Sequence, residues 1–305
     1  MMRISTNTIY QSGINKISNL QSEQVKLQGQ ISTGKRFTTP SEDPIAAARA
    51  LEISHNKEVN NTFTDVRTVA KTNLEGLEAN LTNITNLLVS AQSSLVAAGN
   101  GAYSNLQRSF AATELKNSLD ALVGLANSKD SYGNYLYAGF KTDTQPFVAT
   151  AAGASYAGDA NTQLLQVDAQ RQMAVTVPGS EVFQAGGNDV FATLNDIVDL
   201  LNTPITDATT QAAFTAGLAT AITGMQTSVD NVLNVRASIG ARLNELDSLD
   251  VAGQNKDFQY SKSLSELQDL DYASALSDLA KNQTIMEAAQ KSFVSTTQLS
   301  LFDFI

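Results

Sequence analysis

The chain has 305 residues, a length typical of about two domains at roughly 150 residues each. It contains no cysteine, no tryptophan and one histidine, and 16% of its residues are charged, against roughly 25% in an average domain. These counts exclude disulfides, thiolate metal sites, cysteine nucleophiles and two-histidine zinc sites. The net charge of −10 disfavours nucleic-acid binding, which needs clustered lysine and arginine.

The sequence predicts no membrane insertion. No apolar run approaches the about 20 residues that cross a bilayer, and residues 1–20 lack the apolar core of a cleavable signal peptide. By these rules alone the chain is expected to be soluble and cytosolic, although export by a route without a cleaved signal stays open.

The first predicted element is a helix over residues 3–33 with a thin apolar stripe. The stripe residues recur three, four or seven positions apart, as on one helix face: Tyr10, Ile14, Ile17, Leu20, Leu27 and Ile31. Glutamines fill much of the remaining face: Gln21, Gln24 and Gln28. Because this face is too narrow to fold alone, the helix is expected to need a partner.

Residues 34–44 are expected to form an ordered turn or hinge. Gly34 ends the helical pattern, and Pro40 and Pro44 stand four residues apart. Asp43 is expected to cap the next helix, with Pro44 at its first position.

The strongest pattern predicts a very long helix over residues 45–97. Its apolar stripe advances by about 3.6 residues per step, the α-helical period: Val59, Phe63, Val66, Ala70, Leu74, Leu77, Leu81, Ile84, Leu88, Ala91 and Leu95. Gly99 and Gly101 end it. A further helix is expected over residues 104–129, with four residues facing inward: Leu115, Leu119, Leu122 and Ala126.

The helical period disappears between about residues 132 and 187, where glycine, proline and aromatic residues become frequent. Short alternating runs such as residues 173–177 predict strands bounded by turns. Helix is expected again over residues 191–201, and Pro204 separates it from a second long helix over residues 208–250.

The last region, residues 262–300, carries a heptad pattern. Three of its residues lie seven positions apart, Leu279, Met286 and Phe293, and three others alternate with them, Leu276, Gln283 and Gln290. This pattern predicts a coiled-coil seam with polar positions, which weaken the pairing but fix its register.

The element order is roughly palindromic, so the chain is expected to run out and return. The predicted fold is mainly α, an elongated long-helix bundle with terminal coiled-coil helices and a small β-rich inserted domain. The expected domains are residues 1–42 with 262–305 for the coiled coil, 43–140 with 186–261 for the long-helix core, and 141–185 for the insertion.

One segment, residues 29–35, fits the nucleotide-binding pattern GxxxxGK, but its context argues against a phosphate-binding loop. Arg36 stands where the pattern needs serine or threonine for Mg²⁺, and the preceding segment is helical rather than a strand. His55, early in the long helix, is interpreted as a structural or solvated residue rather than a catalytic one. We therefore expect no catalytic residue, no cofactor and no bound metal.

Residues 236–246 place Gly240 inside a strong helix, between Arg236 and Arg242. Glycine costs about 1 kcal/mol relative to alanine at such a position. Two interpretations stay open: another helix approaches closely at Gly240, or the helix simply tolerates the glycine.

Taken together, segments at both ends and beside the insertion resemble the flagellin superfamily of bacterial flagellar axial proteins. They are MRISTN (2–7), ISTGKRFTTPSEDPIAAA (31–48), NYLYAGFKTDTQPF (134–147), RASIGARLNEL (236–246), LDYASALSDLAKNQTIMEAAQKSF (270–293) and LSLFDFI (299–305). Within the superfamily, residues 40–44 and 302–305 are most similar to the hook–filament junction proteins. The usual start of that family matches Met2 rather than Met1.

The resemblance implies a structural protein without enzymatic activity, exported through the flagellar type III channel without a cleaved signal and located outside the cell. It implies a ring of copies between a neighbouring hook-associated protein and flagellin, and an export chaperone that binds the C-terminal helix. The terminal helices are expected to order only on assembly, because one isolated pair buries too little apolar area.

The resemblance also implies a hinge and an assembly interface. Residues 34–44 are expected to set the angle between an inner and an outer layer, with Arg36 and Asp43 as interface or capping groups. The candidate hinge and interface residues are Gly34, Arg36, Pro40, Asp43, Pro44, Arg236, Gly240, Arg242, Leu279, Met286 and Phe293.

Three alternatives stay open. A filament flagellin would polymerise by itself into long fibres. A nucleotide-dependent enzyme would rest on the imperfect GxxxxGK segment alone. A type III translocator or coiled-coil adhesin would share the helical layout but would not account for the paired terminal motifs.

Overall fold

The structure, a computed structural model, describes the backbone of residues 6–302 and the side chains of residue 8 and residues 10–296. Three features singled out in the sequence fall outside the described residues: positions 2–5 of the start motif, positions 303–305 of the ending, and the choice between Met1 and Met2. Within the described part the fold is mainly α, with long helices and two small sheets, as predicted.

The described backbone contains seven α-helices and four strands. In chain order they are α1 (Thr6–Thr33), α2 (Pro44–Ala98), α3 (Asn105–Ala126), β1 (Phe147–Thr150), β2 (Gly153–Tyr156), β3 (Leu164–Asp168), β4 (Arg171–Ala174), α4 (Gly179–Phe183), α5 (Val190–Asn202), α6 (Ala208–Gln268) and α7 (Tyr272–Phe302). The helices predicted over residues 45–97, 104–129 and 191–201 are confirmed as α2, α3 and α5. Ser104 and Gln107 form the capping box that starts α3.

Two predicted helix boundaries near the C-terminus are wrong. Helix α6 does not end near residue 250 but continues to Gln268, and the last helix begins at Tyr272 rather than near residue 262. Residues 251–268 contain no proline, so the backbone can continue as a helix. At the break, the Asp271 carboxylate accepts hydrogen bonds from the backbone N–H groups of Ala273 and Ser274, at 3.0 and 3.2 Å, and caps α7.

The contacts divide the chain into two compact units. The first unit comprises residues 1–59 and 255–305, and the second unit comprises residues 60–254. Helices α2 and α6 contribute residues to both units, whereas α3, α4, α5 and all four strands belong to the second. The second unit therefore contains the whole of the strand-rich segment together with the middle of the long helices.

The strand-rich segment consists of two antiparallel hairpins, β1–β2 and β3–β4. An isolated two-stranded hairpin is marginally stable in water, so these need support from other elements. Phe147 of β1 supplies it, because its ring packs against Phe183 of α4 and Phe191 of α5, with centroid separations of 5.1 and 4.9 Å. The rings join the first hairpin to the helices of the second unit.

The second unit is built on the predicted apolar stripe of α2. From Ala70 to Leu95 every stripe residue is buried, and the predicted inward face of α3 is buried as well. Upstream, Val59 is 39% exposed, so the stripe reaches a full core only beyond the first unit. Fully burying one leucine contributes about 1.5–3 kcal/mol, so a continuous row of them can stabilise the second unit without partners.

A buried arginine that the sequence analysis did not single out joins three elements of the second unit. The Arg67 side chain is 2% exposed and forms an ion pair with Asp250 of α6. It also donates to the Val167 carbonyl of β3 at 3.1 Å and to the Thr64 hydroxyl at 2.9 Å. Because it stands one residue after Val66 of the apolar stripe, periodicity alone gave no reason to expect it in the core.

Candidate assembly surface

In the first unit α1 packs along α7, and the contacts at their ends show that the helices are antiparallel. Gly13, early in α1, faces Phe293, late in α7. Gly34, just after α1, faces Tyr272 at the first position of α7. The predicted coiled-coil pairing of the terminal helices is therefore confirmed.

The face of α7 that meets α1 differs in part from the predicted one. Leu279, Met286 and Phe293 are half-buried, as the heptad requires. The predicted alternating residues are exposed: Leu276, Gln283 and Gln290. The residues one position earlier take their place in the seam: Ala275, Asn282 and Ala289. Steps of three and of four residues both follow a helix face, so only the partner helix decides between the two series.

The face of α1 is corrected in the same way. Gly13 lies in the seam, whereas the predicted Tyr10 and Ile14 are 47% and 39% exposed. The rest of the seam is half-buried: Ile17, Leu20, Gln24, Leu27 and Ile31. Gln21 and Gln28 are exposed. No described side chain of α1 is fully buried, so this pair forms a seam rather than a core.

Each end of the seam pairs a glycine with an aromatic ring. A Cβ added at Gly13 would lie 2.5 Å from the Phe293 ring, which also contacts Tyr10 at a centroid separation of 5.2 Å. A Cβ added at Gly34 would lie 2.8 Å from the Tyr272 hydroxyl. Gly34 also has a φ of +69°, a left-handed conformation that ends the helix and that favours glycine.

Midway along the seam lies a buried amide. Asn282 is 7% exposed, and its Nδ2 stands 3.4 Å from a carboxylate oxygen of Glu23 in α1. Its Oδ1 is buried and has no hydrogen-bond partner in the described part of the chain. A buried polar residue in a seam costs stability but favours one register over others.

The end of α1 and the break between α6 and α7 are joined by backbone hydrogen bonds. The Arg36 N–H donates to the Gln268 carbonyl at 2.7 Å, and the Leu270 N–H donates to the Gly34 carbonyl at 2.9 Å. Lys35 and Asp269 form an antiparallel bridge between these bonds. The two chain breaks of the first unit therefore form one joint.

The segment from Arg36 to Pro44 is itself ordered, as predicted for a turn. The Glu42 N–H donates to the Thr39 carbonyl at 3.1 Å, which closes a turn with Pro40 at its second position. Asp43 caps α2, because its carboxylate accepts the N–H of Ala46 at 3.0 Å, and Pro44 is the first residue of α2. The predicted cap is thus confirmed.

Charged groups reinforce this turn. The other carboxylate oxygen of Asp43 lies 2.9 Å from the Arg36 guanidinium, which stacks over the Phe37 ring at 5.9 Å. Glu42 accepts the backbone N–H of Thr38 at 2.7 Å. That hydrogen bond lowers the pKa of the Glu42 carboxyl below its usual value, with a smaller contribution from Lys26.

An apolar groove of about 500 Å³ opens between the turn and the first turns of α2. Its lining residues are Lys35, Phe37, Thr38, Thr39, Pro40, Pro44, Ala47, Ala48, Ala50, Leu51, Ser54 and Gln268. Leu51 is 73% exposed at this groove, and Ile45, in the first turn of α2, is 70% exposed. An apolar groove with a largely exposed leucine is typical of a surface that a partner covers.

The GxxxxGK segment does not form a phosphate-binding loop. Residues 29–33 belong to α1, and the hydroxyls of Ser32 and Thr33 donate to the carbonyl of Gly29, each at 2.9 Å. A phosphate-binding loop instead follows a strand and directs its backbone N–H groups at the ligand. The structure gives no support to the nucleotide-binding alternative at this segment.

The remaining candidate residues belong to the second unit. Arg236 donates two hydrogen bonds to one Glu78 carboxylate oxygen, at 2.9 and 2.6 Å, and joins α6 to α2. Arg242 donates to the Ala174 carbonyl of β4 at 3.1 Å. A Cβ added at Gly240 would meet no atom within 4 Å, so no helix in the described part of the chain approaches closely there. Both arginines thus have partners inside the unit.

The surface of the first unit is richer in exposed apolar side chains than its core is in buried ones. Among its residues with described side chains, the buried ones are Ala46, Ala50, Ala275 and Asn282. Its exposed large apolar residues are Tyr10, Ile14, Val25, Ile45, Leu51, Val59, Phe258, Tyr272, Leu276, Ile285 and Val294. This imbalance reverses the pattern of the second unit and is typical of a protein–protein interface.

Among the described residues, no three histidine or acidic side chains gather as a metal site would require. His55 is exposed on α2, which fits a solvated residue. The described helices contain no stretch both long and apolar enough to span a membrane.

Several residues of this surface were missed by the sequence analysis, although a signal for them exists. Gly13 stands seven residues before Leu20, and Tyr272 stands seven residues before Leu279. Gly34, predicted only as a helix end and hinge residue, continues the same spacing after Leu27. Because glycine is not counted as an apolar residue, the α1 series was not recognised. Gln268 could not have been found, because its contribution is a backbone carbonyl.

The fold and sequence match known flagellar proteins. Residues 4–142 match the bacterial flagellin N-terminal helical region. Flagellar hook-associated protein 3 of Escherichia coli strain K12 is 35% identical, and that of Salmonella typhimurium strain LT2 is 34% identical, each over 99% of both chains. The solved flagellar junction protein FlgL of Legionella pneumophila superposes with a TM-score of 0.64 at 18% identity, over 72% of this chain and 100% of that one.

Proposed function

The chain belongs to the family of flagellar hook-associated protein 3, and from this membership we propose that it joins the flagellar hook to the flagellin filament. In this role it is a structural subunit rather than an enzyme. Copies of it form a ring, with a neighbouring hook-associated protein on one side and flagellin on the other. Relatives matched over nearly their whole length support a junction protein over a filament flagellin.

The observation that carries the assembly mechanism is the contrast between the two units. The second unit contains a continuous row of leucines with no exposed surface, such as Leu74, Leu81 and Leu88. In the first unit only three alanines and one asparagine of the described residues are buried. The second unit folds by itself, whereas α1 and α7 order when neighbouring copies cover their exposed apolar side chains.

Elementary energetics support this coupling. Ordering one residue costs about 1–2 kcal/mol of backbone entropy, and a half-buried seam offers less than the about 1.5–3 kcal/mol of each fully buried leucine. One α1–α7 pair is therefore marginal in water. Contacts with neighbours add burial at Val25, Ile285 and Val294, which the chain alone leaves about half or more exposed.

The same chain must reach its site before it folds completely. We propose that it leaves the cell unfolded through the flagellar type III channel, with an export chaperone bound to the α7 region. The α7 segment carries Leu276, Ile285 and Val294, which its pairing with α1 leaves exposed, and these are apolar groups that such a chaperone would cover before assembly.

Limited proteolysis tests the coupling. In the free chain, cleavage in α1 and α7 is expected to be far faster than in α2 between residues 60 and 98, and both helices are expected to become resistant in assembled junctions. Equal resistance of all three helices in the free chain would refute the mechanism.

Deletion of the protein tests the role itself. Cells without it are expected to carry hooks without filaments and to shed flagellin into the medium. Filaments that persist on its loss would refute the junction role, and spontaneous fibres of the purified chain would identify a filament flagellin instead.

A further inference from the structure

The two glycine–aromatic pairs lie at opposite ends of the α1–α7 seam with equal spacing. Gly13 and Gly34 are 21 residues apart, and so are Tyr272 and Phe293, which is three heptads in each case, with Gly34 one residue past the end of α1. Between them the heptad positions hold Leu20 and Leu27 on α1 and Leu279 and Met286 on α7. Each helix therefore carries a four-residue series whose ends differ in size from its middle.

We propose that these two pairs fix the register of α1 against α7, so that each chain closes its terminal coiled coil in one alignment only. A coiled coil whose seam is uniform can slip by one heptad, because every apolar residue then finds an equivalent place. Here a slip in either direction breaks the backbone pairing of Leu270 with Gly34, and one direction also meets a steric penalty at the Phe293 ring. A slip one way brings Phe293 against Leu20, and a slip the other way brings Tyr272 against Leu27.

The penalty is steric, because the Phe293 ring occupies space that is open only when the facing residue is glycine. A single Cβ at Gly13 would already approach the Phe293 ring to 2.5 Å. A leucine in that place adds three more carbons, and overpacking of this kind commonly costs enough to change a population tenfold or more. Asn282 also disfavours slipped alignments, because a slip would move its buried amide away from the Glu23 carboxylate.

The fixed register has a consequence at the joint. Gly34 belongs to the second glycine–aromatic pair of the seam, and its carbonyl also accepts the Leu270 N–H at 2.9 Å. If the seam slips by a heptad, Gly34 moves by about 10 Å and this backbone pairing is lost. The two glycine–aromatic pairs therefore align the joint at the same time as they align α1 with α7. This inference deepens the proposed function, because it rests on the α1–α7 pair that orders during assembly.

The absence of cysteine makes the register directly measurable, because introduced thiols are the only thiols present. One heptad inward from the Gly13–Phe293 pair, Leu20 of α1 is expected to lie opposite Met286 of α7. Leu20→Cys with Met286→Cys therefore reports the aligned register, and Leu20→Cys with Leu279→Cys reports a slip. In the aligned register the second pair is offset by about 10 Å along the helices, beyond the about 7 Å that a disulfide spans.

The full chain carrying each pair is assembled into flagella, oxidised, and separated on a denaturing gel that distinguishes cross-links within one chain from those between chains. The aligned pair is expected to cross-link within the chain at least tenfold more than the slipped pair. Adding Gly13→Leu is expected to lower the aligned cross-link about tenfold. The matched control is Gly29→Leu in the same helix, where a Cβ meets no atom within 4 Å, and it should change nothing.

A size exchange keeps the test decisive if Gly13→Leu prevents assembly. Phe293→Ala combined with Gly13→Leu is expected to restore junctions and the aligned cross-link. The proposed control of register is refuted by any one of three results. The first is that Gly13→Leu behaves like Gly29→Leu, and the second is that Phe293→Ala fails to restore junctions in the Gly13→Leu chain. The third is that the slipped cysteine pair cross-links as much as the aligned pair in the absence of further substitutions. Proteolysis of the free chain measures separately whether α1 and α7 order only on assembly. The proposed fixed register and the proposed assembly-coupled folding can therefore be refuted independently.

Discussion

Shortening Met286, in the α7 seam, and Leu81, in the second unit, should affect two different properties of the protein. Leu81 is completely buried in α2, so Leu81→Ala removes packing from a core that the free chain already possesses. Met286 is half-buried against α1, so Met286→Ala removes packing from a seam that orders only with neighbours. The first change should destabilise the free chain, and the second should weaken assembly.

The magnitudes follow from burial. Leu→Ala at a fully buried site costs about 2–5 kcal/mol, and each kcal/mol lowers Tm by about 2–4 °C for a unit of this size. Leu81→Ala is therefore expected to lower the Tm of the purified chain by roughly 4–20 °C. Met286→Ala is expected to shift that Tm by less than about 1 °C, because α7 contributes little to the stability of the free chain.

Calorimetry of the purified chains and electron microscopy of cells producing them measure the two effects side by side. At temperatures below its lowered Tm, Leu81→Ala should still support filaments, whereas Met286→Ala should leave many hooks bare and release flagellin. If Met286→Ala lowers the Tm of the free chain as much as Leu81→Ala does, the seam is already folded before assembly and the reasoning is wrong.

The joint yields three further predictions. Pro40→Ala with Pro44→Ala should impair motility more than it lowers the Tm of the free chain, because both prolines restrict the segment that links α1 to α2; unchanged swimming in soft agar would contradict this. Asp43→Ala should cost α2 about 1 kcal/mol of N-terminal stability, whereas Asp43→Asn should keep the cap and lose only a half-exposed ion pair, and amide exchange in the first turn of α2 distinguishes them. The pKa of Glu42 is lowered in the folded chain, so its ionised carboxyl stabilises the fold above the unfolded pKa of about 4.3, and this stabilisation is lost as the pH falls through the folded pKa. An NMR titration of Glu42 should therefore have its midpoint below about 4.3. Glu42→Gln should abolish this pH dependence of stability.

The long helices were predictable because they depend on one period. The stripe of α2 from Ala70 to Leu95 continues without interruption, so local pattern and tertiary burial agree at every step. The cap at Asp43 and the helix end at Gly34 were predictable for the same reason, since both are decided by residues next to them in the chain. The end of α6 was not, because no proline stands in residues 251–268, the helix continues through Gly253, and the break coincides with the bridge between Asp269 and Lys35.

The candidate surface shows where sequence reasoning stops. Arg236 and Arg242 were grouped with the interface because of the family motif, which stays a prediction, and the structure adds their partners within the second unit, Glu78 and the Ala174 carbonyl. Arg67 was overlooked because a charged residue in a core is explained only by its partners. In both cases the deciding contacts lie more than sixty residues away in the chain.

The sequence by itself determined that this protein is a set of long helices with sparse terminal seams, because helical period and apolar content are local properties. It also determined half of the α7 seam, since Leu279, Met286 and Phe293 keep the same face under any pairing. Only the tertiary structure decided that Asn282 rather than Gln283 completes the seam, that Gly13 faces the Phe293 ring, and that Gly34 faces the Tyr272 hydroxyl. A helix fixes the spacing of its own residues, but the surface of the partner determines which of them are buried.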